Sequence, residues 1–146
     1  MEDFESVREK AKSLYESKKE IYCPYFQTKI ILNSDGFNHL QYKPNRAPRN
    51  IKVQTLKLML LKKALEIIPK CGTLQEHRVQ MEKYGKSQQN GFHKMKQVQY
   101  WGFHAILENK KYKIKIIIKQ IGAGNKIFWS VMPYDQRLYA QGIAED

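Results

Sequence analysis

Acid is scarce in this sequence beyond its first twenty residues. Residues 1–20 hold six acids and five bases, but residues 21–146 hold eight acids against 21 bases. From Gly36 to Leu65 seven Lys or Arg stand without an acid, and from Asn109 to Tyr134 six Lys do. A two-metal nuclease needs clustered carboxylates to hold Mg²⁺, and the scattered acids here argue against one. The one tempting E-x-K, Glu108-Asn109-Lys110, falls in a predicted hairpin turn rather than mid-strand beside a second acid. Cysteine is scarce too. Cys23 and Cys71 lack C-x-x-C spacing, which points to free thiols rather than a disulfide framework or zinc site. "GAGN" has neither the Lys-Ser/Thr ending nor the context of a phosphate-binding loop. No apolar run approaches the ~18 residues of a membrane span. "MEDFESVREKAK" has no apolar core of a signal peptide, so a cytoplasmic protein is expected.

What is present is positive charge, at +12 for 146 residues. Such a field attracts polyanions, of which nucleic acid is the commonest inside a cell. The length suggests one domain able to bury a real core. An apolar content of 42% with 12% aromatics suits a globular fold.

Periodicity and turn signals give the elements. Residues 3–19 read as a helix with a capping-box spacing at Ser6 to Glu9. "FQTKIILN", residues 26–33, reads as a strand ending in the turn "NSDG". Pro44 and Pro48 make residues 37–50 a loop. "VQTLKLMLLKKALEII", residues 53–68, is a helix apolar on more than half its circumference. "TLQE" at Thr73 to Glu76 is a second capping-box spacing and predicts a helix to about Tyr84. Strands follow at 97–108, 111–121 and from Lys126, joined by short links as an antiparallel meander. The expected fold is α+β, in the order α-β-α-α-β-β-β. It is a four-stranded antiparallel twisted sheet with two to three helices on one face. Residues 1–20 form a helical appendage and residues 21–146 the single domain.

Alternation sorts side chains by face. Tyr112, Ile114, Ile116 and Ile118 share one side of their strand, and Lys113, Lys115, Ile117 and Lys119 the other. In the last strand Ile127, Trp129 and Val131 are the set expected to face the helices, leaving Ser130 with the lysines. The predicted site is a concave face lined by Lys113, Lys115 and Ser130, with Lys29 as a further candidate. The basic loop 41–50 closes one rim. An ordinary solvated sheet face is the plain alternative.

Without clustered carboxylates, the chemistry left is metal-free and cofactor-free attack on RNA by its own 2′-OH. A His moves the proton because it titrates near neutrality. Lys and Arg steady the developing charge, and Ser or Tyr orients the phosphate. His39, Arg46, Lys115 and Ser130 supply the catalytic set, with Lys43, Arg49, Lys113 and Tyr134 binding substrate. Each has a structural reading too. His39 between Phe37 and Leu40 reads equally as a capping or a half-buried residue, His104 as a core histidine and His77 as a surface one. Trp101 and Trp129 read as core before base-stacking platforms.

The order β-α-α-β-β-β resembles the barnase–EndoU–colicin–RelE-like superfamily of small metal-independent ribonucleases. "KIILNSDGFNHLQY" resembles the opening strand and downstream His of their phage- and mobile-element-associated branch, and "FWSVMPY" the closing strand with its Ser or Thr. Over residues 24–134 the resemblance implies an RNA site at His39, Arg46 or Arg49, Lys115 and Ser130. It also implies a toxin-like endoribonuclease whose partner is a protein antitoxin or acidic inhibitor. Where many members carry a second His in the loop, this chain has Tyr42, Lys43 and Asn45. A non-catalytic RNA or DNA binder and a basic protein-interaction module use the same surface.

Overall fold

The computed structural model describes residues 3–85, 91–107 and 113–133. Three helices are α1 (Phe4–Lys18), α2 (Ser34–Gln41) and α3 (Ile51–Ile67), the last running into a 3-10 turn at Ile68–Lys70. Six strands are β1 (Glu20–Cys23), β2 (Thr28–Ile31), β3 (Glu76–Tyr84), β4 (Lys94–Ile106), β5 (Lys113–Ile121) and β6 (Lys126–Pro133). The α+β class is as expected. Among the described residues no helix is long and apolar enough to cross a membrane.

The sheet departs from the expectation of four antiparallel strands. It has six strands in the order β1-β2-β6-β5-β4-β3 and is mixed. β4, β5 and β6 form the antiparallel meander read from their short links. β1 and β2 make an N-terminal hairpin turned at Pro24 to Gln27, where Gln27 takes a left-handed φ of 53° and donates to the Cys23 carbonyl at 3.0 Å. β2 then meets β6 in parallel through the one pair Ile31 and Ile127. The segment after Thr73, expected as a helix, is instead the nine-residue edge strand β3, paired along its whole length with β4.

Part of the segment expected as loop is α2. The Asn33 side chain accepts from Gly36 N at 3.0 Å and caps a short helix, so "NSDG" is a helix start rather than a turn. α2 lies against β6 beyond the point where β2 stops. There Gly36 approaches so closely that a β-carbon would stand 2.1 Å from the Phe128 carbonyl oxygen. Only glycine fits.

One face of the sheet and all three helices share the main core. Trp101, Phe103, Ile114, Ile116, Ile118, Phe128 and Val131 from the strands meet Phe37 and Leu40 of α2 and Leu58, Leu61 and Leu65 of α3. α1 brings Val7, Ala11 and Tyr15 to the same cluster, and Tyr15 Oη donates to Asn33 O at 2.6 Å. A smaller cluster of Val98, Tyr100, Ile117 and Met132 lies on the other face.

A bulge corrects the reading of β6. Ile117 pairs with Ser130, but Ile118 pairs with Phe128, so Trp129 is the extra residue. Ile127, Trp129 and Val131 therefore do not share a face: Phe128 and Val131 join the main core, and Trp129 packs against the smaller cluster. The expected open row of ammonium groups is also different. Lys113 is exposed, Lys115 is fully buried and Lys119 is 8% exposed.

Candidate nucleic-acid interface

A groove of about 600 Å³ opens between α2, the loop after it and the ends of β5 and β6. α2 presents Asp35, Asn38 and His39, the loop presents Tyr42, Lys43 and Arg46, and the sheet presents Lys119 and Trp129.

The loop is a closed tongue rather than a free connector. Tyr42 and Pro48 form an antiparallel bridge across its base. Lys43 N donates to Ala47 O and Arg46 N to Lys43 O, each at 2.8 Å. Ala47 N donates to Asn45 Oδ1 at 3.0 Å. Arg46 takes a left-handed φ of 70°, which an L residue adopts only under the constraint of its surroundings. The tongue thus holds Lys43 and Arg46 at the groove with little freedom to swing away.

Arg49, just past the tongue, braces His39. Its Nε donates to His39 O at 3.0 Å, and its Nη2 lies 3.2 Å from His39 Nε2. A guanidinium only donates, so a hydrogen bond here takes Nε2 as the acceptor. The His39 ring is stacked on Trp129 with centroids 4.0 Å apart and planes 18° from parallel. It is 4% exposed.

The opposite side of Trp129 is occupied as well. Lys119 Nζ lies 3.7 Å from the ring centroid, with the Tyr100 ring 5.4 Å away. Burial pushes the Lys119 ammonium below its ordinary pKa, while Glu82 and Asp35 pull it back. Among the described residues this ammonium makes ring contacts and no ion pair. With a histidine on one side and a lysine on the other, Trp129 has no face left for a base. Trp101 is closed too, between the Phe26 ring edge at 4.9 Å and the stacked His77 at 5.4 Å. Tyr42, 45% exposed, is the aromatic surface the groove keeps open.

Of the residues predicted from sequence, His39, Lys43 and Arg46 come together in this groove, and Arg49 stands behind His39. Lys115 does not line it. Its Nζ lies 3.4 Å from Glu76 Oε2, the same oxygen that His104 Nε2 approaches at 2.6 Å. Ser130 is fully buried, and its Oγ accepts from Lys57 Nζ at 3.0 Å. Lys113 is exposed at the start of β5, opposite Ile106. Tyr134 lies outside the described residues.

Lys119 and Trp129 were not singled out for the site. The alternation that marked Lys113 and Lys115 also marks Lys119, whereas the bulge hid Trp129. The chain matches no protein-family model, no curated protein and no solved structure.

Proposed function

We propose that the groove binds a strand of nucleic acid, RNA in particular, through its phosphodiester backbone. The observation that carries this reading is the Lys119 ammonium. It is held on Trp129, largely stripped of water and without an ion-pair partner among the described residues. A phosphate oxygen supplies the acceptor it lacks, and Lys43 and Arg46 on the rigid tongue take the neighbouring oxygens. Tyr42 offers a base one open ring face. Asp35, a carboxylate in an otherwise basic groove, is placed to accept a hydrogen bond from a ribose 2′-OH, which favours RNA over DNA.

Cleavage of the bound strand asks for more. His39 turns its Nε2 to Arg49, while Lys115 and Ser130 answer to Glu76 and Lys57. Binding is therefore the reading that the geometry supports first. Endoribonuclease action keeps one support, the presence of Asp35 and His39 in the same groove as Arg46 and Lys119.

Fluorescence anisotropy with a labelled single-stranded oligoribonucleotide tests both. Affinity is expected to fall steeply with salt, and Lys119→Met or Arg46→Asn is expected to reduce the log–log salt slope by about one. Asp35→Ala should narrow the preference for RNA over DNA. Salt-independent affinity, or variants that bind like the wild type, would overturn the groove assignment. The same incubations in EDTA, analysed for cyclic-phosphate or 3′-phosphate ends, separate a metal-independent nuclease from a binder.

A further inference from the structure

β3 ends the sheet, and among the described residues no strand pairs with its outer side. Alternation along β4 tells which backbone groups are left there. Gln97 O accepts from Gly122 N at 2.7 Å and so faces β5, while Gly102 O accepts from Gln75 N at 3.3 Å and so faces the β3 side. Odd-numbered residues of β4 thus bond to β5 and even-numbered ones to β3. Glu76 pairs with Gly102 and Tyr84 with Lys94, so the even-numbered residues of β3 bond inward. His77, Val79, Met81 and Lys83 turn their N–H and C=O groups outward. They form an open template for another extended chain.

This edge is nine residues long, holds neither proline nor glycine, and runs beside β4 without a bulge. Charge is its guard, but the charge is balanced. Within a chain of +12, Glu76 and Glu82 stand against Arg78 and Lys83. Val79 and Met81 share one face and are 48% and 59% exposed. On the other face Glu82 is fixed in place, accepting from Tyr100 Oη at 2.7 Å and from the Gln80 amide. The exposed Arg78 shares that face.

We propose that β3 pairs with β3 of a second copy of this chain, antiparallel about a two-fold axis at Gln80. The outward groups belong to odd-numbered residues in both copies, so odd must oppose odd. The register that uses the whole strand is then centred on Gln80. Val79 exchanges hydrogen bonds with Met81 of the second copy, and His77 with Lys83, about eight bonds in all. One face gains an apolar patch of Val79 and Met81 from both copies. The other sets Arg78 opposite Glu82 twice and Gln80 opposite itself. Shifting the axis one residue toward the start of β3 puts Glu76 against Glu82, and one residue the other way puts Val79 against Lys83. Side-chain pairing therefore selects one register. This match of the strand with itself is what names a second copy rather than an unrelated chain. β3 lines no part of the basic groove, so pairing leaves the groove open. A single ladder buries less than the about 1,200 Å² of a stable interface, so the dimer is weak and β3 stays an open edge in dilute solution.

Sedimentation of the full chain in about 0.15 M salt, which screens the overall charge beyond about 8 Å, tests the pairing. The mean mass is expected to rise from monomer toward dimer between about 5 and 500 µM, with a Kd on the order of 100 µM. Arg78→Glu and Glu82→Arg each set like charges opposite and are expected to weaken self-association at least about tenfold. An equimolar mixture of the two should dimerise like the wild type, because each copy offers the sign the other lacks. The restoration itself, with the Tm of each variant, reports that both are folded. Met81→Pro removes an outward N–H that β4 does not use, so it should abolish the dimer with little change in Tm. It should leave oligoribonucleotide affinity unchanged, so the edge and the groove fail independently. A mass that stays monomeric over that range, a dimer indifferent to Met81→Pro, or a mixture no better than its parts would overturn the proposal. So would equal binding of a fluorescein-labelled peptide of residues 76–84 and of its scrambled sequence, since the edge would then accept any strand.

Discussion

At Gly36 the space for a β-carbon is already filled by the Phe128 carbonyl oxygen, and a backbone atom cannot swing aside. Gly36→Ala is expected to cost about 2–3 kcal/mol in urea unfolding, by prising α2 off β6. If the groove binds RNA as proposed, that affinity should fall with it, because His39 rides on the same helix. Arg46 behaves differently. Asn tolerates the left-handed region better than Arg does, so Arg46→Asn should keep stability within about 0.5 kcal/mol while removing the charge. Glu76→Ala leaves the buried Lys115 ammonium without its carboxylate and is expected to cost about 3 kcal/mol. Adding Lys115→Met should recover much of that loss, measured in the same denaturation experiment. The contrast between Lys115 and Lys119 marks what the sequence leaves open at this scale. Alternation puts both on one face of β5, but one faces Glu76 and the other rests on Trp129. A face can be counted along a strand; a neighbour across the sheet cannot.

Among the elements, those that carry their own signal were legible. α1, α3 and the β4–β5–β6 meander follow from periodicity and short links. β3 was not, because "EHRVQMEKY" is rich in residues suited to helices and buries few of its own side chains. It is a strand because β4 offers it a nine-residue ladder, and tertiary pairing outweighs local propensity. Its charged residues suit the exposed edge it forms. α2 was missed for a related reason: its Gly36 reads as a turn residue, while the helix needs that glycine for contact with β6. β1 was too short to announce itself, with four residues including Glu20. The basic tongue was legible because its prolines and charges are local. Hydrogen exchange followed by mass spectrometry should rank the elements accordingly. β5 lies between two strands with Ile114 to Lys119 all buried, and its amides should exchange last. β3 should exchange well before it, and equal protection of the two would contradict this account of the edge.

For the molecule as a whole, pH acts through buried thiols and phenols. Burial pushes the Cys71 thiol up to about 12 from an ordinary 9.0, and Cys23, Tyr15 and Tyr100 are raised for the same first cause. A raised value means that the folded chain keeps a proton that the unfolded chain gives up. The stability linked to these groups is therefore complete below pH 9 and is lost as pH rises from there toward 12. Lys119 works in the opposite direction, because its lowered value makes the unfolded chain the better proton binder in the window below 10.5. The four buried thiols and phenols outnumber Lys119, and the exposed Lys29, raised by its hydrogen bond to Glu20, acts in their direction, so the melting temperature should decline from about pH 9 upward, with a shallower decline in Cys71→Ala. Scanning calorimetry across that range measures both.

The single parallel contact of Ile31 with Ile127 has a temporal consequence. During synthesis the N-terminal hairpin emerges early, but β6, the strand it must join, emerges after every other described strand. Until then β2 has one open side, and Gly36 has no carbonyl to approach. The two halves of the sheet are sealed together by the last strand to arrive. A ribosome-stalled chain that ends before Lys126 should thus remain protease-sensitive throughout its first forty residues, and one that extends well past Pro133 should not.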